Sequence, residues 1–169
     1  LLGEILNTDV KFLSCELSEL GINVYYQTVV GDNKKRLSDA VEIALNRSDM
    51  IIVSGGLGPT QDDLTKEVIS EYFGRELILD KESLDRIQAY LERKNLNNVE
   101  CNKKQAMLPQ GAIILPNECG TAPGCIIEDG KKVAIMLPGP PSELCDMYKK
   151  CVKPYLMKKQ NCMFYSENL

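Results

Sequence analysis

The stretch Met50-Ile51-Ile52-Val53-Ser54-Gly55-Gly56-Leu57-Gly58-Pro59-Thr60-Gln61-Asp62-Asp63-Leu64-Thr65 decides how the chain is read. Its first four residues are apolar and mostly β-branched, which predicts a short strand buried on both faces, as parallel strands are. Leu64, Val68 and Ile69 then mark a helix that stops near Gly74. The glycine-rich turn between them falls at the carboxyl end of a strand, where open α/β sheets bind their ligands. Gly55, Gly56 and Gly58 let backbone N–H groups approach a ligand closely. The helix start behind them favours an anion such as phosphate. The same residues also suit a plain connector in which Thr60 or Asp62 caps the helix. Neither G-x-x-x-x-G-K-[ST] nor G-x-G-x-x-G fits the spacing, so those two nucleotide folds are not supported.

Asp62 and Asp63 follow one another at this helix start. Helical neighbours point about 100° apart, so only one of them faces a ligand on the glycine loop. A carboxylate beside phosphate is tolerated through a cation, and Mg²⁺ suits one or two carboxylates plus substrate phosphates. The acids equally complement the helix dipole.

Outward from this stretch the pattern alternates between helix period and short apolar runs. Val10, Leu13, Leu17 and Leu20 form one helical face, capped by Asn7 or Thr8 and stopped by Gly21. Ile22 to Val30 reads as a strand rich in Val, Ile and Tyr, followed by a turn at Gly31-Asp32-Asn33. Leu37, Val41, Ala44 and Leu45 mark a second helix. Further on, Glu76–Leu79 is a short strand, Leu84, Ile87 and Leu91 a helix, Asn95–Asn98 a loop and Ala112–Leu115 a strand. Cys125–Glu128 and Lys132–Leu137 flank the hairpin signal Asp129-Gly130. Leu144, Met147 and Cys151 mark a last helix, interrupted at Pro154, with an irregular polar tail. This order predicts an α/β sandwich around a mostly parallel sheet with an antiparallel edge hairpin. Starting on a helix is odd for such a fold. The chain also begins without Met, so a further strand is expected upstream of Leu1, with a gap beside the Met50 strand.

The composition narrows the chemistry. The 169 residues hold 20 Lys+Arg and 24 Asp+Glu, a net charge of −4, which does not suit phosphate-rich nucleic acid. No apolar run approaches the ~20 residues of a membrane span, and the start lacks a secretory pattern. There is no histidine, which removes Ser-His and Cys-His triads, His-ligated zinc and imidazole bases. The seven cysteines, Cys15, Cys101, Cys119, Cys125, Cys145, Cys151 and Cys162, form no C-x-x-C pair and are expected as free thiols of a cytoplasmic protein.

Three further segments carry candidate chemistry. Met136 to Leu144 (M-L-P-G-P-P-S-E-L) again joins a strand to a helix. Gly139 and Ser142 offer N–H donors there, although Ser142 also fits as an N-cap. Gly120-Thr121-Ala122-Pro123-Gly124 is a loop before a strand. Asn102-Lys103-Lys104-Gln105 places two cations between two amides, a phosphate grip or a solvated face.

Taken together, Leu1–Thr8 (L-L-G-E-I-L-N-T), Thr28–Asn33 (T-V-V-G-D-N), Ser54–Thr65, Asn102–Pro109, Gly120–Gly124 and Leu137–Glu143 (L-P-G-P-P-S-E) resemble the N-terminal domain of the CinA (competence/damage-inducible protein) family. That domain is of the molybdopterin-binding type, like MogA and MoaB. The resemblance runs in order from Leu1 to about Tyr155 and implies one three-layer α/β/α domain over residues 1–169. CinA-type domains are associated with metal-dependent hydrolysis of ADP-ribose-like pyrophosphates, and MogA-type domains bind and adenylylate molybdopterin. The MogA-like pattern G-G-T-G, four residues, D-x-T falls on Gly55, Gly56, Leu57, Gly58, Asp63 and Thr65. By that resemblance Asp63, with Asp62 beside it, is the catalytic acid, and Asp63 the ligand of Mg²⁺ or a similar divalent cation, with K⁺ as a further cation. Gly55, Gly56, Gly58, Thr60, Thr65, Asn102, Lys104, Gln105, Gly120, Thr121, Gly139 and Ser142 are the implied phosphate and ligand contacts. Asp62 stands where MogA-like proteins carry Arg, and P-G-P-P-S replaces P-G-[SN]-P; both departures favour the CinA branch.

The resemblance further implies a homo-oligomer, a dimer or a trimer, and a C-terminal deamidase domain that this chain does not include. The leading expectation is a metal-dependent nucleotide pyrophosphatase acting on ADP-ribose-like substrates, with a carboxylate or metal-activated water as base. The Nudix box that usually performs this reaction is absent, Arg75-Glu76-Leu77 matching only its core. The rival expectations are a molybdopterin adenylyltransferase and a nucleotide- or pterin-binding module without turnover.

Overall fold

The computed structural model describes residues 7–95 and 103–166, with side chains to residue 160. The elements run α1 (Thr8–Glu19), α2 (Lys34–Arg47), β1 (Met50–Ser54), α3 (Thr65–Tyr72), β2 (Leu77–Leu79), α4 (Lys81–Arg93), β3 (Met107–Pro109), β4 (Ile113–Leu115), β5 (Gly124–Asp129), β6 (Lys132–Leu137) and α5 (Pro141–Met147). A π-helical turn (Tyr148–Val152) then leads into α6 (Lys153–Ser166). Three N-caps follow from short polar side chains. Asn7 accepts from the Val10 N–H at 3.1 Å, Asn33 from Arg36 at 3.0 Å and Asp80 from Ser83 at 2.7 Å. Gly21, at φ +71°, closes α1 in the left-handed conformation, and the Ile22 N–H turns back to the Leu17 carbonyl at 2.9 Å.

The main sheet has the order β1-β6-β5-β4, and β2 and β3 form a separate antiparallel pair. β1 and β6 run parallel, with Met50 beside Val133 and Ser54 beside Leu137. β5–β6 and β4–β5 are antiparallel. The hairpin therefore supplies the two inner strands of the main sheet instead of an edge. Its two-residue turn is Gly130-Lys131, one position later than the Asp129-Gly130 signal, because Asp129 pairs with Lys132. Gly130 takes φ +57°, the residue type a hairpin turn wants at its first central position.

Alternation along β5 and β6 creates the three layers. Ile126, Val133, Ile135 and Leu137 pack with Leu13 and Leu17 of α1 and with Leu144, Met147, Tyr148 and Val152. Cys125, Ile127, Ala134 and Met136 pack on the other face against Val41, Leu45, Val68 and Ile69 of α2 and α3. Each fully buried aliphatic chain contributes about 1.5–3 kcal/mol. Truncating one at the centre, such as Ile135→Ala, costs about 2–5 kcal/mol.

Four expectations are corrected. The stretch 22–30 forms no strand: Val24, Tyr25, Tyr26 and Val29 are all exposed, and no described strand pairs with it. Strand-forming residues need a partner and a face to bury, and among the described residues they have neither. The outer edge of β1 has no partner among the described residues, while the opening at Leu1 lies outside them. Second, β3 was not read from sequence, being three residues long and ending in proline. Third, α3 and α5 are capped by Leu64 and Pro140 with no side-chain bond, so Thr60, Asp62 and Ser142 are not caps. Fourth, Pro154 does not interrupt the last helix. The π turn before it, in which the Lys153 N–H reaches the Tyr148 carbonyl, places Pro154 at the start of α6, and the tail stays helical to Ser166.

Among the described residues Cys15, Cys119, Cys125, Cys145 and Cys151 are free thiols; Cys101 and the side chain of Cys162 lie outside them. No described helix is long and apolar enough to cross a membrane.

Candidate phosphate-binding cleft

Parallel pairing of β1 with β6 brings two strand-to-helix turns side by side. Immediately past Ser54 and Leu137, the Gly55 N–H donates to the Leu137 carbonyl at 2.9 Å. A Cβ on Gly139 would lie 3.3 Å from the Gly55 Cα, so the two backbones pack closely at this pair of glycines. Gly55 and Gly56 both adopt positive φ, +88° and +69°. Thr65, buried at the start of α3, holds this turn. Its hydroxyl donates to the Gly55 carbonyl at 2.9 Å and its N–H to the Gly56 carbonyl at 3.2 Å.

These turns floor a cleft of about 330 Å³, lined also by Leu57, Gly58, Asp63, Gln105, Thr121 and Glu143. The Asp63 carboxylate is fixed from below. Its Oδ2 accepts the Thr60 N–H at 2.9 Å and the Thr60 hydroxyl at 2.5 Å. Partial burial works against its charge, but the bonds from Thr60 and the Gly58 N–H, with the Lys104 cation nearby, outweigh burial and hold its pKa below the usual carboxylate value. Glu143, in the first turn of α5, lines the cleft as a second carboxylate, and its Oε2 accepts from the Asn117 amide at 2.6 Å.

The turn at 103–106 is clamped to α3 by two lysines. Lys104 donates to the carbonyls of Thr60 and Asp63, at 2.5 and 2.6 Å, and lies 3.3 Å from Glu67. Lys66, only 1% exposed, donates to the carbonyls of Lys104 and Gln105 at 2.9 and 2.8 Å. Burial lowers its pKa to about 8, against the opposing pull of Cys125 and Glu67. Gln105 is itself buried, and its Oε1 has no hydrogen-bond partner among the described residues.

Of the residues expected at the site, Gly55, Gly56, Gly58, Asp63, Gln105, Thr121 and Gly139 converge on the cleft. Thr60, Thr65 and Lys104 brace it from outside the lining. Gly120 lies on an adjoining recess. Asp62 and Ser142 are exposed and do not line the cleft, and Asn102 lies outside the described residues. Asp62 and Asp63 also precede α3, so the turn that puts the Asp63 N–H on the Thr60 carbonyl, not helical geometry, separates them. Sequence reasoning missed Glu143, Asn117 and Lys66. A lysine three positions before the buried Ile69, on the inner face of α3, is the signal that was available for Lys66.

A divalent cation fits this donor set in one manner. Among the described residues no group of three or more acids and cysteines gathers to hold a metal. The cleft offers two carboxylates, Asp63 and Glu143, which is the number Mg²⁺ uses when substrate phosphates complete its shell.

A buried mixed sheet with helices on both faces and a glycine-built cleft at the strand ends is the architecture of the molybdopterin-binding-type domains to which the chain is similar. The chain belongs to the family described as the probable molybdopterin binding domain, whose model matches residues 1–158. Within it the chain is 53% identical over all 169 residues to a CinA-like protein of Dictyoglomus turgidum and 52% identical to a putative competence-damage inducible protein of Clostridium novyi. It spans 41% of the length of each of these relatives. Among solved structures, CinA from Thermoplasma acidophilum, described as of unknown function, superposes with a TM-score of 0.79 at 33% identity, over 90% of this chain and 89% of that one. A molybdenum cofactor biosynthesis protein B shares the fold, with a TM-score of 0.58 at 20% identity over 93% and 86% of the chains.

Proposed function

We propose that this domain hydrolyses the pyrophosphate bond of an ADP-ribose-like nucleotide with the help of a divalent cation. The observation that carries the reading is the cleft itself: two glycine turns pressed together at Gly55 and Gly139, faced by the carboxylates of Asp63 and Glu143. The turns bind one phosphate each through backbone N–H groups. Asp63 and Glu143 hold the cation, which when bound neutralises phosphate charge and activates water. Thr60 and Lys104 keep Asp63 ionised and in place. Water adds to one phosphorus, the P–O–P bridge breaks, and AMP and ribose 5-phosphate leave. The water proton passes to a cleft carboxylate, the chain having no histidine to receive it.

A second reading is favoured by the family match and by the fold shared with molybdenum cofactor proteins. In it the same cleft binds molybdopterin phosphate, with or without transfer of an adenylyl group. The deciding experiment incubates the full-length protein with ADP-ribose and Mg²⁺, and separately with molybdopterin and ATP. AMP and ribose 5-phosphate in the first arm support the pyrophosphatase. Adenylylated molybdopterin in the second, with none of those products in the first, replaces it.

A further inference from the structure

A smaller recess of about 110 Å³ adjoins the cleft. Ser83, Arg86 and Ile87 of α4 form one wall and Ile114, Pro116 and Pro123 the other. Thr121 lines both cavities, so the loop around it stands between them. That divider is held rigidly. The Asn117 side-chain carbonyl accepts the N–H groups of Cys119 and Gly120 at 3.0 and 2.8 Å, and its amide donates to the Ala122 carbonyl at 2.9 Å. From α4 the Tyr90 hydroxyl donates to the Cys119 carbonyl at 3.1 Å. The Glu143 carboxylate occupies the space a side chain on Gly120 would need.

The chemistry of the recess differs from that of the cleft. Its rim carries the carboxylates of Asp80 and Glu82, which repel a phosphate, and Asp80 is already engaged in capping Ser83. Its walls are largely aliphatic. Among the described residues its one cation is Arg86, half exposed and held by the i,i+4 pair with Glu82 at 2.7 Å. Such a surface pair is worth a few tenths of a kcal/mol, so the guanidinium is available to a ligand. Guanidinium groups stack on aromatic faces, and aliphatic walls accept a flat ring whose polar edge meets the rim acids.

We infer that the recess between α4 and the 113–123 segment receives the nitrogen-rich heteroaromatic ring of the same ligand whose phosphates lie in the adjoining cleft. The inference rests on reading the cleft as a phosphate site. A purine base and a pterin share this chemistry.

The test measures equilibrium binding to the full-length protein of ADP-ribose, molybdopterin and, as a ringless probe, inorganic pyrophosphate. It compares wild type with Arg86→Ala, which removes the stacking cation at an exposed position, and Ile114→Trp, which fills the recess from its rim. Thermal melts establish that both variants fold. The expected result is that both weaken the ringed ligand by at least about tenfold and leave pyrophosphate unchanged. Whichever of ADP-ribose and molybdopterin shows this loss identifies the ring. Unchanged binding of both ringed ligands by the variants overturns the inference, as does equal weakening of pyrophosphate. Wild-type protein that binds no pyrophosphate overturns the reading of the cleft and the inference with it.

Discussion

The ammonium of Lys66 donates to the main-chain carbonyl of Gln105 at 2.8 Å inside the protein, joining α3 to a turn 39 residues away. Burial keeps the charge weakly held, with a pKa lowered from 10.5 to about 8. The unfolded chain therefore binds more protons than the folded one between these two values, and this group makes stability rise with pH across that window. Lys66→Met removes that contribution. Chemical denaturation of both proteins from pH 7.5 to 10.5 should show wild-type stability gaining on the variant as pH rises. A constant difference would mean that burial does not lower the Lys66 pKa.

Asp63→Asn should lower metal-dependent turnover by at least about a hundredfold, the loss expected when charge stabilisation of a few kcal/mol disappears. Asp62→Asn, at an exposed position outside the cleft, should leave turnover within about twofold, as surface changes do. Asp63→Asn should also destabilise the fold, by about 1 kcal/mol, since the amide matches only part of the Thr60 clasp. The folded pKa of Asp63 is depressed below 3.8, so its stabilisation is fully present above about pH 4 and fades as pH falls through the folded value. Acid titration followed by circular dichroism should show a shallower acid limb in the variant. Near-wild-type turnover by Asp63→Asn would remove Asp63 from the reaction.

Gly58→Ala places a Cβ 2.5 Å from the Asp63 Oδ2 and 2.9 Å from its Cγ. The backbone of Gly58 does not lie in the left-handed region, so the strain falls on the carboxylate. Turnover should fall by about tenfold or more while the thermal midpoint changes by only a few degrees. A large loss of stability instead would show that the loop, not the acid, gives way.

Glu143→Gln keeps the acceptor for the Asn117 amide and removes only the charge. The Mg²⁺ concentration needed for half-maximal turnover should rise about tenfold, with little change in melting temperature. Unaltered metal dependence would leave Asp63 as the sole carboxylate for the cation.

What sequence disclosed and what it hid follow from the range of the forces involved. β1, the glycine turn and α3 are legible because their periodicity and their glycines are local. Likewise Leu13 and Leu17 of α1 and Val41 and Leu45 of α2 announce buried faces. The stretch 22–30 misled because residues such as Tyr25 and Val29 have strand propensity but stay exposed, with no strand partner among the described residues. Glu143 entered the reading only as the last letter of a loop motif, since its place in the same cleft as Asp63 depends on the β1–β6 register. Asn117 carries no pattern at all. Its bonds to residues 119, 120 and 122 are local turn chemistry, but the one to Glu143, 26 positions on, exists only once the sheet has closed.

The contact between Gly55 and Gly139 has a consequence for how such a chain can diverge. Gly139 cannot acquire a side chain unless the Gly55 backbone gives way, because its Cβ would lie 3.3 Å from the Gly55 Cα, and Gly55 is itself held to glycine by its φ of +88°. Drift at one turn is therefore tied to a matching change at the other, 84 positions away in the numbering. New ligand preferences reach this cleft more readily by replacing a lining side chain outside these turns, such as that of Thr121.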